Sequence, residues 1–219
     1  MTPHHLHATR AAQALDYARD RLAEAVYREM AERYREARTI AAASAIQAWR
    51  PVIGPGGIGG HGDPSSRAAV ASVEPEVRDG RLRRLQASTT ATLAWLADAI
   101  RLPPAGDPLP PLGRAIPRLP PAACRELTLW LDEADHRIRE VLHLDPDGQL
   151  LPGRRCPRCG RRQLTAHAFG PRHTWTVTCT PTCLCIGDDC PCGMASRLAG
   201  VRHVWGPDHP LVTTLASAA

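Results

Sequence analysis

The chain has 219 residues and a formal net charge of +5, all 27 residues of its Lys+Arg count are arginine because it contains no lysine, and asparagine is absent as well. Without lysine there is no Schiff-base catalysis and no Walker-type phosphate lysine, and no apolar run approaches the ~20 residues of a membrane span. The length allows one medium domain and a small one, and the excess of Ala, Arg, Gly and Pro is that of a very GC-rich coding sequence.

The first residues, Met1-Thr2-Pro3-His4-His5-Leu6-His7, lack a basic segment followed by an apolar one. No signal peptide is therefore expected, and the location expected is cytoplasmic. In that reducing setting, clustered cysteines are metal ligands sooner than disulfides. His4, His5 and His7 are read as part of a frayed terminus.

From about Ala8 to Trp49 the sequence is rich in Ala, Arg and Glu and free of internal Gly or Pro. Leu15, Leu22, Val26 and Met30 recur at helical spacing, with Tyr27, Tyr34, Ile40 and Ile46 nearby. This predicts one long helix or two in tandem, ended at Arg50-Pro51. Residues 51–66, with their glycine-dense run, read as a linker. A second helix is predicted from about Gly80 to Arg101, with Leu82, Leu85, Leu93, Leu96 and Ile100 on one face. Residues 102–121 are proline-dense and predict an extended, polyproline-like connector.

A third helix starts at Pro121 and runs to about Leu144, with an apolar stripe of Leu127, Trp130, Leu131, Ala134, Ile138, Val141 and Leu142. Asp145-Pro146-Asp147-Gly148 reads as the turn that closes it. Beyond Pro152-Gly153 the pattern becomes strand-like at Gln163–His167 and Thr174–Thr178. A short helix is expected at Ala195–Leu198. The fold class expected is mainly α: a helical bundle over residues 1–150, a small Cys-rich module on a β-hairpin over 151–206, and an irregular tail over 207–219.

Seven of the eight cysteines fall between Cys156 and Cys192. Cys156-Pro-Arg-Cys159-Gly160 is a CxxC knuckle, which delivers two thiolates to one metal from a tight turn. The chain returns about twenty residues later with Cys179 and Cys183. Knuckle, hairpin, knuckle is the plan of a zinc ribbon, so the first ligand set is Cys156, Cys159, Cys179 and Cys183, with Cys185 able to displace Cys183. Cys185, Cys190 and Cys192 remain for a second Zn2+ and need a fourth ligand. His203 is the candidate, and His173 and His167 are the alternatives. The spacing matches no common iron–sulfur run. Thiolate-rich sites are closed and structural rather than catalytic, and the sequence contains no HExxH, H-x-E or GxSxG motif.

Around the knuckle lie Arg154, Arg155, Arg158, Arg161, Arg162 and Arg172, with Arg197 and Arg202 further on. They are candidates for phosphate contacts to DNA or RNA, or else the solvated surface of an arginine-rich protein. Gly57-Ile-Gly59-Gly60-His-Gly62 matches GxGxxG in letters, but it follows a helix and runs into Asp63-Pro64, the wrong setting for a dinucleotide loop. Cys124 reads as a packing residue, Asp132 and His136 as a solvated pair one helical turn apart. Trp175 and Trp205 are read as core of the small module, with base stacking the rival role.

With the helices, "GGHGDP" and the run "RCPRCG…WTVTC" followed by its later cysteines in view, the chain resembles a loose group of uncharacterised helical proteins that carry a C-terminal zinc-ribbon-like module, found in actinobacteria and their phages. The resemblance implies zinc binding and a phage or prophage origin, and it carries over no catalytic residue. The function expected is that of a structural-zinc accessory or regulatory protein contacting nucleic acid through the Arg-rich ribbon. The rival is a protein–protein adaptor whose partner binds the helices.

Overall fold

The computed structural model describes residues 1–48 and 80–216. The expected linker over 51–66, the GxGxxG letters and the helix end at Arg50-Pro51 lie outside them. The first helix, α1, is a single helix, Pro3–Ala48, that starts ahead of Ala8. Proline suits a first turn, where its missing N–H has no partner to lose. Helix α2 is Arg81–Ala99, α3 is Leu109–Ala115, and a 3-10 turn, Ile116–Arg118, follows it. Helix α4 is Pro121–Leu142 and ends on His143 in the left-handed conformation, where the His143 and Leu144 N–H groups both donate to the Arg139 carbonyl.

The proline-dense connector was expected to be extended, and the structure corrects this. Leu109 and Leu112 are buried on a short helix whose prolines sit in its first turn, and Ile116 is buried on the 3-10 turn after it. The chain is mainly α, with a four-stranded antiparallel sheet in the order β1 (Gln149–Leu150), β2 (Thr165–His167), β3 (Thr176–Thr178), β4 (Val204–Trp205). The hairpin of β2 and β3 falls where the alternation predicts, and β1 and β4 extend it on either side. No helix forms at residues 195–198. Past Trp205, where an irregular tail was expected, Pro210–Ala216 forms helix α5. It packs Leu211, Val212 and Leu215 onto the core of the Cys-rich module.

The chain divides into two compact units, Met1–Leu22 with Leu85–Ala219, and Ala23–Arg84. In the first, α1 buries Ala8, Ala11, Ala14, Leu15 and Ala18 completely. Leu93, Leu96, Leu127, Leu131 and Ile138 supply the buried apolar faces of α2 and α4, as their helical spacing predicts. Trp130, placed on the α4 stripe by sequence, is instead 43% exposed and meets the exposed Trp95 edge to face at 5.2 Å. In the second unit the Arg33 guanidinium pairs with Glu29 at 2.5 Å. Tyr27, Met30, Tyr34 and Ile40 are exposed there rather than on a buried stripe.

Polar side chains join α1 to the rest of the first unit. Arg10, 6% exposed, grips both carboxylate oxygens of Asp132 at 2.5 and 2.7 Å and also pairs with Asp147. Asp132 thus faces Arg10 and not His136, which is exposed. His5 bonds the Leu119 carbonyl at 2.9 Å, and His7 the Arg202 carbonyl at 3.1 Å, so neither belongs to a frayed end. Cys124 is fully buried, with its thiol toward the Ile116 carbonyl, in the packing role expected of it.

Candidate metal centres

The seven clustered cysteines and one histidine fall into two groups of four. In each group one ligand atom per residue lies within 4.8 Å of all the others: Cys156, Cys159, Cys179 and Cys183, then Cys185, Cys190, Cys192 and His203. Each group can hold a metal ion. The partition is the one that the spacing suggests, with Cys183 rather than Cys185 completing the first set.

Local backbone geometry explains how each set begins. The Arg158 N–H points at the Cys156 sulfur at 3.4 Å, and the Gly187 N–H points at the Cys185 sulfur at the same distance. Both turns need a glycine with positive φ, +68° at Gly160 and +93° at Gly187. Cys185-Ile186-Gly187 is therefore a second knuckle. The sequence hides it, because its second thiolate comes from Cys190 instead of the third residue on. The other ligands are placed by the sheet. Cys179 follows β3, and its N–H donates to the His203 carbonyl at 3.2 Å, while the Cys185 N–H donates to Val201 at 2.8 Å.

The sulfur spacings test whether a metal fits. Tetrahedral bonds of about 2.3 Å to four thiolates put the sulfurs about 3.8 Å apart. Cys156 and Cys183 are 3.9 Å apart, Cys159 and Cys179 3.8 Å. Cys190 Sγ lies 3.3 Å from His203 Nε2, close to what one sulfur and one nitrogen on a shared ion require. These gaps suit a single ion, since a polynuclear cluster would hold its thiolates further apart. Every ligand is buried except Cys159.

Crowding thiols without a cation sets them against one another. Burial would raise Cys159, but the Arg161 amide and hydrogen bonds with Cys183, Cys156 and Cys179 outweigh it and bring this thiol down to about 7. Burial and the neighbouring Cys156 push Cys179 up to about 11, and burial with hydrogen bonding to Cys159 and Cys179 raises Cys183 further. The second set repeats the pattern. Cys190 comes down to about 6, as contacts with the Ile186 amide and His203 outweigh burial, while burial and Cys190 hold Cys192 up at about 11. A divalent cation at the centre lets all the thiols ionise together.

Outer contacts fix the ligands' frames. Arg202 Nε donates to the Cys179 carbonyl at 2.6 Å, and Trp205 Nε1 donates to the Cys192 carbonyl at 2.7 Å while its ring stacks on His203 at 5.7 Å. Trp205 is 1% exposed, so it is core, as expected, and has no face to offer a base. Trp175 is half-buried, with Arg172 over its ring and its Nε1 donating to Gly170.

Neither alternative histidine reaches a metal set. His173 sits exposed on a 3-10 turn, Arg172–Thr174, beside a cavity of about 610 Å³. His167 lies between Asp147 and Thr178, with Nδ1 2.8 Å from the Asp147 carbonyl and Nε2 2.9 Å from the Thr178 hydroxyl. That string has the order of a nucleophilic triad. Thr178 is fully buried, however, and also accepts from Arg202 at 3.1 Å, so no substrate reaches it. Burial would raise the Asp147 carboxyl, but His167, Arg10 and Arg139 hold it well below the usual carboxylate range.

Arg154, Arg155, Arg158, Arg161 and Arg162 are all exposed around the first knuckle. Among the described residues none of the five is within ion-pair distance of a carboxylate. On and beside the second knuckle Leu184, Ile186 and Leu198 are exposed, alongside the charged Asp188, Asp189 and Arg197. Comparison with protein-family models, curated proteins and solved structures finds no match for the chain.

Proposed function

We propose that each of the two sets holds a structural Zn2+ and that the module they staple together is a nucleic-acid-binding surface of an accessory or regulatory protein. The observation that carries the metal is the pair of complete four-ligand sets, each with a knuckle amide on its first sulfur and spacings suited to one tetrahedral ion. Zinc is the ion favoured, since it takes four thiolates or three thiolates and an imidazole without geometric preference from its d electrons. With four protein ligands, neither centre keeps an open position for substrate. The nucleic-acid reading is supported by the five exposed arginines on the first knuckle. Guanidinium groups unpaired with carboxylates are free to meet phosphates in bidentate fashion.

A specific observation favours a second reading, the protein–protein adaptor. Leu184, Ile186 and Leu198 are each exposed on or beside the other knuckle, with Asp188, Asp189 and Arg197 among them, and zinc would then only stabilise a docking module, as in a phage or prophage accessory protein.

Native mass spectrometry and a salt titration test these readings together. Two zincs are expected on the wild-type chain and one on Cys190→Ser; a wild type without zinc would sink the proposal. Binding to random-sequence DNA or RNA should weaken steeply with salt, and the triple variant R158A/R161A/R162A should flatten the log–log slope by about 2–3. Zinc loading with no salt-dependent binding would favour the adaptor.

A further inference from the structure

His203 is fully buried, and its two ring nitrogens face different metal sets. Nε2 lies 3.3 Å from Cys190 Sγ in the second set. Nδ1 lies 2.9 Å from the carbonyl oxygen of Cys183 and 3.4 Å from its sulfur, both in the first set. A neutral imidazole carries one proton, and a metal at Nε2 forces it onto Nδ1. The Cys183 carbonyl can only accept and so demands the same Nδ1–H, and loading the second centre therefore locks in the tautomer and ring position that donate to a ligand of the first.

The backbone repeats the link. The Cys179 N–H donates to the His203 carbonyl at 3.2 Å, the His203 N–H faces the Cys183 carbonyl at 3.5 Å, and Leu184 pairs with Arg202 in an isolated bridge. Residues 201–203 thus form one rail on which two ligands of the first set, Cys179 and Cys183, and one of the second, Cys185, are aligned. A rail held by one ion is ordered when the second ion arrives, so the second does not bear the same loss of conformational freedom.

We propose that His203 serves both centres, as a ligand of one and as the positioning residue of the other, so that the two metals bind with positive cooperativity. This rests on the reading that both sets hold zinc. Groups that orient metal ligands from outside the first coordination sphere are commonly worth 10–100-fold in affinity, and linkage makes the coupling reciprocal.

The test is chelator competition on the reduced, zinc-loaded protein, with native mass spectrometry counting ions at each step. His203→Cys keeps four ligands in the second set but has no ring N–H to give Cys183. It should still hold two zincs, with first-site affinity about tenfold lower. Cys190→Ser breaks the second set and leaves every first-set ligand in place, so its single zinc should be weakened by a similar factor. In the wild type the one-zinc species should stay below half of the protein at the midpoint, which two independent sites never show. First-site affinity within twofold of wild type in either variant would overturn the coupling. A wild type that holds fewer than two zincs before any chelator is added would overturn the two-centre reading instead, and the initial ion count shows that separately.

Discussion

The imidazoles of His5 and His7 each end on one carbonyl oxygen far along the chain, 114 and 195 residues away. His5 takes the Thr2 hydroxyl at Nδ1, 2.6 Å away, which leaves Nε2–H for Leu119. Burial pulls His7 down to about 4, against the raising effect of its bond to the Arg202 carbonyl and with help from nearby Arg10. An unfolded chain takes up a proton near pH 6.5 that the folded one refuses. His7 therefore subtracts stability as pH falls from about 6.5 toward 4, and roughly 1–2 kcal/mol has gone by pH 5.5. His7→Gln keeps an N–H donor without a basic nitrogen, so the loss between pH 7 and 5.5, measured by urea denaturation with zinc present, should shrink by that amount. Partners so remote leave no trace in local spacing, and for that reason these residues look like a loose end in the sequence. The candidate metal ligands are the opposite case. CxxC is a local device, and both sets were legible from cysteine intervals and one nearby histidine. Only the turn at Gly187 stayed hidden, because its knuckle lacks the usual second cysteine.

Helices α1, α2 and α4 and the β2–β3 hairpin are legible because each has a sustained period, 3.6 or 2, against which a face can be assigned. Helices α3 and α5 are seven residues long, too short for a period to establish itself, and the proline density around α3 suggested an extended connector. In α3, prolines 110 and 111 lie in the first turn, where an absent N–H costs no helical bond. The element buries Leu112 at 0% exposure, and the 3-10 turn that follows buries Ile116 at 1%. Leu112→Ala would be silent in an extended linker; here it should lower the unfolding free energy by about 2–4 kcal/mol, read as a shift in the denaturant midpoint at unchanged slope. Strands β1 and β4 are two residues each. They exist only as partners of their neighbours, which no reading of their own residues could reveal.

Among the twelve buried residues that form the core of the Cys-rich module, six are cysteines, and its strands are too short to hold by pairing alone. On the proposed reading that both sets hold zinc, its stability is tied to metal. The first unit joins this module to the helices in one compact body, through Arg10 with Asp147, His7 with Arg202, and Tyr17 against Phe169 at 5.3 Å. Stripping zinc with a chelator should therefore lower the melting temperature of the helical circular-dichroism signal as well. A helical transition that keeps its midpoint after complete zinc removal would show the two parts to be independent.

The bond from His7 to the Arg202 carbonyl also sets a timetable for biogenesis. A ribosome adding about 5–20 residues per second needs roughly 10–40 s to travel from one to the other. Within that interval α1 can already close onto Leu119, Asp132 and Asp147, while its contact to the Cys-rich module cannot yet form. Docking of the helices is thus open to the chain early, whereas the joint between helices and module is completed only with its last fifth.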